Sequence, residues 1–282
     1  MRLTKVLLVG IVLFMAATIT AQDIISVADL SKEMKNKDVL IVCATSNANY
    51  KVHITGSVNV PHSDLYNNEP IHSAIKPADE MAKILGSQGV TADKTIVVYD
   101  EGSGKYAGRL YWILKYLGAP NVKVLDGGLP AWKANRRPIT GSPTKVDAAT
   151  FIPKVDESVL AKIDEVKKAQ GNAAYVLLDT RPADEYSGSA DSKIRKGHIP
   201  GSVNIDFKNV LDAKGNLKTN DQLKSLFESK GVTADKTIIT YCETSVRAGI
   251  VFMALKGLGY TKVKVYDGAY YEWQATASNK VE

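Results

Sequence analysis

Cysteine is scarce in this chain: its 282 residues include two, Cys43 and Cys242. A small fold stapled by disulfides is therefore excluded, and a chain of this length can bury two cores of ordinary size without one. Histidine is scarce as well, and His62 and His72 lack metal-ligand spacing with either cysteine, so no metal site is expected. Dense basic runs are missing. The lysines are scattered without interleaved aromatics, which argues against a nucleic-acid partner. Beyond residue 21 no apolar run is long enough to span a bilayer.

The beginning of the chain has a character of its own. Arg2 and Lys5 precede an apolar run from Val6 to about Ala17, followed by small residues. Residues 1–21 read as a secretory signal peptide cut near Ala21, which makes the protein exported, periplasmic or secreted. An uncleaved anchor is the alternative, and only in that case is a membrane involved. Cleavage removes two positive charges and no negative one, lowering the formal charge from +6 to +4. Such a balance modestly concentrates small anions. In an exported chain two cysteines raise the question of a disulfide, but their contexts differ. Cys43 lies inside the apolar run Val39-Leu-Ile-Val-Cys43, whereas Cys242 ends such a run and opens a loop. Two free thiols are the expectation.

The chain repeats itself. Gly89-Val-Thr-Ala-Asp-Lys-Thr-Ile-Val-Val-Tyr-Asp100 returns as Gly231-Val-Thr-Ala-Asp-Lys-Thr-Ile-Ile-Thr-Tyr-Cys242. His53-Ile-Thr-Gly-Ser-Val-Asn-Val60 returns as His198-Ile-Pro-Gly-Ser-Val-Asn-Ile205, and Ala107-Gly108 as Ala248-Gly249. Three blocks in one order at nearly constant spacing mean two copies of one domain. The proline-containing stretch from Pro138 to Pro153 separates them. The boundaries read as 22–140 for the first domain, 141–153 for the linker and 154–282 for the second.

Within the second copy, Tyr175–Asp179, Ser202–Ile205, Thr237–Tyr241 and Val263–Tyr266 read as strands. Helical periodicity falls near Ser158–Gln170, Asp221–Lys230 and Ala248–Leu258. Strand–helix alternation predicts an α/β fold, each domain a mostly parallel sheet flanked by helices. Ligands of such sheets gather at the carboxyl ends of the strands. Cys242 stands there, between a strand and the helix that follows. The loop Cys242-Glu243-Thr244-Ser245-Val246-Arg247 can turn its backbone N–H groups inward beside the positive end of a helix, a setting that favours an anion such as a thiolate. An inert buried cysteine beside a surface arginine is the plainer alternative.

These blocks together resemble the rhodanese family of sulfurtransferases in its tandem two-domain form. The resemblance is carried by Leu178-Asp-Thr-Arg-Pro-Ala-Asp-Glu-Tyr186, Gly197-His-Ile-Pro-Gly-Ser-Val-Asn-Ile205, Tyr241-Cys-Glu-Thr-Ser-Val-Arg-Ala248 and Leu125-Asp-Gly-Gly-Leu-Pro-Ala-Trp132. It implies that the catalytic cysteine is Cys242, that residues 243–247 cradle its persulfide, and that the first domain, with Asp100 in the matching position, is catalytically silent. It also implies a small-molecule sulfur donor such as thiosulfate, a thiol or cyanide acceptor, no cofactor, and a substrate cleft between the domains. Phosphatase relatives of this fold resemble Cys-x5-Arg, and the shorter Cys242-to-Arg247 spacing favours sulfur.

Two departures narrow the resemblance. Ser245 replaces the usual Gly of the loop, and Glu185 stands where thiosulfate-using members carry a donor-binding Arg. Glu185 is expected to repel the donor unless Arg181, Arg195 or Lys196 offsets it. A persulfide carrier with little turnover is the second reading that these departures support. His53 and His198 are expected to brace turns, and Trp132 and Trp273 to lie in the cores. Gly102-Ser-Gly104-Lys-Tyr-Ala107 fits a relaxed dinucleotide fingerprint. Its position in the loop that replaces the active-site loop argues against that use.

Overall fold

The computed structural model describes residues 23–282, so the signal-peptide reading of residues 1–21 lies outside the described residues. The first domain is built on strands β1 (Ile24–Ile25), β2 (Val39–Cys43), β3 (Val58–Asn59), β4 (Thr95–Tyr99) and β5 (Val122–Leu125). They lie side by side in the order β1-β5-β4-β2-β3, all parallel. The second domain uses β6 (Leu160–Ala161), β7 (Tyr175–Asp179), β8 (Val203–Asn204), β9 (Thr237–Tyr241) and β10 (Val263–Tyr266). Their order, β6-β10-β9-β7-β8, is the same parallel arrangement. The central strands β4 and β9 read TIVVY and TIITY, and their last four residues are all buried. Near-continuous apolar or β-branched runs suit strands that helices cover on both faces.

One expected helix is shorter than its periodicity indicated. Within 158–170 the chain forms a single 3-10 turn at Glu157–Val159 and then β6, and the helix occupies only Ile163–Ala169. Leu160 and Ala161 pair with Val265 and Tyr266 at the sheet edge, a tertiary demand that local periodicity does not register. Residues 141–153 pack along the first domain. Ala149 donates its N–H to the Gly86 carbonyl at 2.8 Å, and Phe151 is buried.

The two domains share one continuous apolar core, which includes Leu110 and Ile113 from the first and Ile250, Phe252 and Leu255 from the second. Each such side chain contributes about 1.5–3 kcal/mol on burial. The helices Lys105–Tyr116 and Ala248–Gly257 lie between the sheets, and for that reason both are buried around most of their circumference. Polar contacts across the boundary follow the repeat. Asp126, just after β5, accepts the Leu217 N–H at 2.8 Å, and Asp267, just after β10, accepts the Ile75 N–H at 2.8 Å. Arg109 breaks this symmetry, since Ile250 holds the matching place. Its fully buried guanidinium donates to the Ser73 carbonyl at 2.7 Å and to Asp267 at 2.9 Å. Among the described residues no helix is long and apolar enough to cross a membrane.

Candidate active site

Cys242 follows the last residue of β9, and the helix Ala248–Gly257 starts six residues further on. Its side chain is fully buried as a free thiol, as Cys43 is in β2. The Cys242 carbonyl accepts the Tyr270 N–H at 2.9 Å, fixing the start of the loop against the helix Ala269–Ala275. Ser245, fully buried at the loop's centre, has φ +60°. Left-handed backbone costs a non-glycine residue about 1–2 kcal/mol. Its hydroxyl compensates by hydrogen bonding to the carbonyls of Tyr266 and Asp267. The serine thus takes a conformation in which glycine is at ease, and hydrogen bonds hold it there.

The first domain shows what this loop geometry favours. Asp100, at the position of Cys242, directs its carboxylate into its own loop and accepts N–H groups from Gly102 (2.8 Å), Gly104 (3.1 Å), Tyr106 (3.1 Å) and Ala107 (3.2 Å). Ser103 Oγ adds a longer bond at 3.3 Å. Successive backbone N–H groups at a strand–helix junction form an anion nest, and here the anion is part of the chain. Four of the six amides of the glycine-rich segment 102–107 are thus taken by Asp100. In the second domain the amides of Glu243, Thr244, Ser245 and Val246 donate to no other group among the described residues.

Arg247 closes the Cys242 loop. It makes a two-pronged ion pair with Glu185, from the helix Ala183–Ser187, at 2.6 and 2.8 Å, and approaches Glu243 at 3.5 Å. Burial opposes its charge, but hydrogen bonding to Glu185 and the nearby Cys242 outweigh it, so its pKa is raised. The ion-pair partner of Glu185 is therefore Arg247, and none of Arg181, Arg195 and Lys196, the three cations that could have offset it, forms a salt bridge with it. Arg181 is committed to Asp179 by a buried ion pair at 2.6 Å and to the Gly197 carbonyl. Arg195 bonds the carbonyls of Gln274 and Asn279. Lys196 lines a neighbouring cavity that shares Glu185 and Glu243 with the Cys242 side and also holds Asp184, Asp191 and Lys193.

A cleft of about 440 Å³ opens above the loop between the domains. Glu185, Glu243, Thr244, Val246 and Arg247 form one wall, and His62, Tyr66, His72, Ser73, Lys105 and Tyr106 of the first domain form the other. The matching space beside Asp100 measures about 20 Å³ and is lined by Leu211, Ile250 and neighbours. His62 stacks on Tyr106 at 4.2 Å. Burial, then the charges of Arg109 and Lys105, pull its pKa down to about 4, so it is neutral at pH 7. Sequence reading missed this first-domain wall, because only Lys105 and Tyr106 fall in a motif, the 102–107 segment, and nothing local brings any of its residues to the Cys242 loop. Only the Asp126–Asp267 correspondence in the repeat marks the elements that bring the wall into place. His53 and His198 do brace their turns, each stacked on a tyrosine and bonded through Nδ1 to that tyrosine's carbonyl at 2.9 Å. Trp132 and Trp273 are both buried.

Comparison with known proteins agrees with this architecture. The chain is 31% identical over 262 residues to a thiosulfate sulfurtransferase of Azotobacter vinelandii, covering 92% of this chain and 96% of the relative. It is 32% identical over 220 residues to the sulfur carrier protein TtuD of Thermus thermophilus, covering 73% and 76%. The crystal structure of the 3-mercaptopyruvate sulfotransferase SseA from Escherichia coli superposes with a TM-score of 0.81 at 28% identity, over 87% of this chain and 98% of that one. The family model described as a rhodanese-like domain matches twice, at residues 26–135 and 162–276. With two such matches and the same strand order in both halves, the chain belongs to the rhodanese family and carries its domain in tandem.

Proposed function

We propose that Cys242 is the sulfur carrier of this sulfurtransferase and that residues 243–247 hold the sulfur it carries. The thiolate attacks the outer sulfur of a donor such as thiosulfate. The donor's S–S bond breaks, sulfite leaves with the electron pair, and an S–S bond forms on Cys242. The terminal sulfur of the persulfide bears the negative charge, and the loop amides stabilise it as preorganised donors do. A thiol or cyanide then removes the sulfur. The first domain takes no covalent part, because a carboxylate at position 100 cannot accept sulfane sulfur. One observation carries this reading: the same loop in the first domain is already occupied by an anion, Asp100, on four backbone N–H groups.

Mass measurement after incubation with thiosulfate tests it. The wild-type protein gains the mass of one sulfur atom and Cys242→Ser gains none. Sulfur retained by the Ser variant, through Cys43, would overturn the assignment.

The burial of Cys242 and the closed Arg247–Glu185 pair favour a second reading, a persulfide carrier with little turnover. Stoichiometric sulfur uptake with negligible thiosulfate:cyanide turnover supports the carrier, and sustained turnover supports the enzyme. Residues 1–21 are read as an export signal, with the mature chain periplasmic or secreted. The N-terminal sequence of the protein recovered from its host checks the cut near Ala21.

A further inference from the structure

We infer that Glu185 sets the charge of the sulfur donor: by occupying Arg247 it selects donors of low negative charge, such as the persulfide of an amino-bearing thiol, over the thiosulfate dianion. This inference rests on the reading of Cys242 as the sulfur carrier.

Arg247 is the cation built into the Cys242 loop, and a guanidinium binds an oxyanion best through two parallel N–H bonds. Here both prongs already face Glu185, at 2.6 and 2.8 Å, and Glu243 stands 3.5 Å from the same group. A sulfonate arriving at Arg247 must first displace a carboxylate. The rest of the cleft does not compensate. Its permanently charged lining is Lys105 and Arg247 against Glu185 and Glu243, which balances, and burial keeps His62 neutral at pH 7. Glu185 and Glu243 also border the neighbouring cavity, where the cations Arg181, Lys193, Arg195 and Lys196 face these two glutamates, Asp184 and Asp191, four charges against four. A dianion is therefore not drawn to this sulfur, whereas a neutral or cationic donor needs no free guanidinium and is not disfavoured by the balanced cleft.

The chemistry is unchanged by this choice. The Cys242 thiolate attacks the terminal sulfur of R–S–SH, the donor's S–S bond breaks, and R–S⁻ leaves with the electron pair, yielding Cys242–S–SH. With thiosulfate, sulfite leaves in the same way. Glu185 touches neither sulfur and acts as a positioning residue, through Arg247.

The test compares two donors, thiosulfate and cysteamine persulfide, on the full chain and on Glu185→Gln and Glu243→Gln, following sulfur loading of Cys242 by mass and turnover to cyanide. In Glu185→Gln, KM for thiosulfate is expected to fall about tenfold, with little change in kcat. For cysteamine persulfide it should rise or stay level. Glu243→Gln, the more distant carboxylate, shifts the same ratio less. Raised ionic strength should narrow the difference between donors in the wild type. An unchanged donor ratio in Glu185→Gln, with Cys242 loading intact, overturns the inference alone. Failure of Cys242 to load from either donor, in every form of the protein, overturns the sulfur-carrier reading and this inference with it.

Discussion

Gly108 and Gly249 meet where the central helices of the two domains cross. A Cβ on Gly108 would stand 2.3 Å from the Ile250 nitrogen, and one on Gly249 would stand 2.5 Å from the Gly108 carbonyl. They hold the same place in the repeat, so the crossing lies near the axis that relates the two domains. Backbone meets backbone here, and no side-chain rotation can relieve an added methyl. Gly249→Ala is expected to cost about 1–3 kcal/mol, the range for overpacking a rigid contact. It should also lower activity, because both domains wall the cleft. Urea unfolding of the variant measures the first effect, and a stability equal to wild type would contradict so tight a crossing.

Asp100 yields a prediction about the first domain. Asp100→Asn turns a carboxylate acceptor into an amide whose NH2 faces backbone donors, which should cost about 1–3 kcal/mol. Asp100→Cys places a thiol where Cys242 stands in the other domain, but the space beside it is only about 20 Å³. The mass after thiosulfate should therefore still show one sulfur per chain. Two would show that the first cradle is open to donors.

Ser245 can be tested by a pair of substitutions. Ser245→Ala keeps the strained φ of +60° and loses the bonds to Tyr266 and Asp267, at an expected cost of about 1–2 kcal/mol. Ser245→Gly loses the same bonds but releases the strain, and should remain within about 1 kcal/mol of wild type. Thermal unfolding gives the order. If Ala proves more stable than Gly, strain does not govern this position.

His62 makes stability depend on pH. Its folded pKa, about 4, lies below the ordinary 6.5, so the unfolded chain takes up a proton that the folded chain refuses. The contribution is complete above about pH 6.5 and is lost as pH falls toward 4. Over that window it amounts to about 3 kcal/mol. In urea titrations from pH 7 to pH 4, His62→Asn should lose less stability than the wild type. Parallel pH profiles would mean that His62 protonates freely in the folded protein.

Much of this was legible in the residues alone, for stated reasons. β7, β9 and β10 coincide with the runs Tyr175–Asp179, Thr237–Tyr241 and Val263–Tyr266, because buried parallel strands write themselves as apolar or β-branched runs between turns. β6 was invisible, because two residues at a sheet edge carry no period of their own. Cys242 stood out through its place between strand and helix and through its exchange for Asp100.

The sequence by itself determined the duplication, the parallel α/β fold and the single cysteine at a strand–helix junction, since repeats and strand patterns are local properties of the chain. Tertiary structure decided what surrounds that cysteine. Glu185 and Arg247 are 62 residues apart, and nothing local indicates that the helix Ala183–Ser187 delivers a carboxylate to the loop's guanidinium. His62, Lys105 and Tyr106 reach the cleft only because Gly108 and Gly249 let the domains approach and Asp126 and Asp267 hold neighbouring loops in register. Charge balance in a cleft depends on which side chains face each other across space, a relation that the order of residues along the chain does not contain.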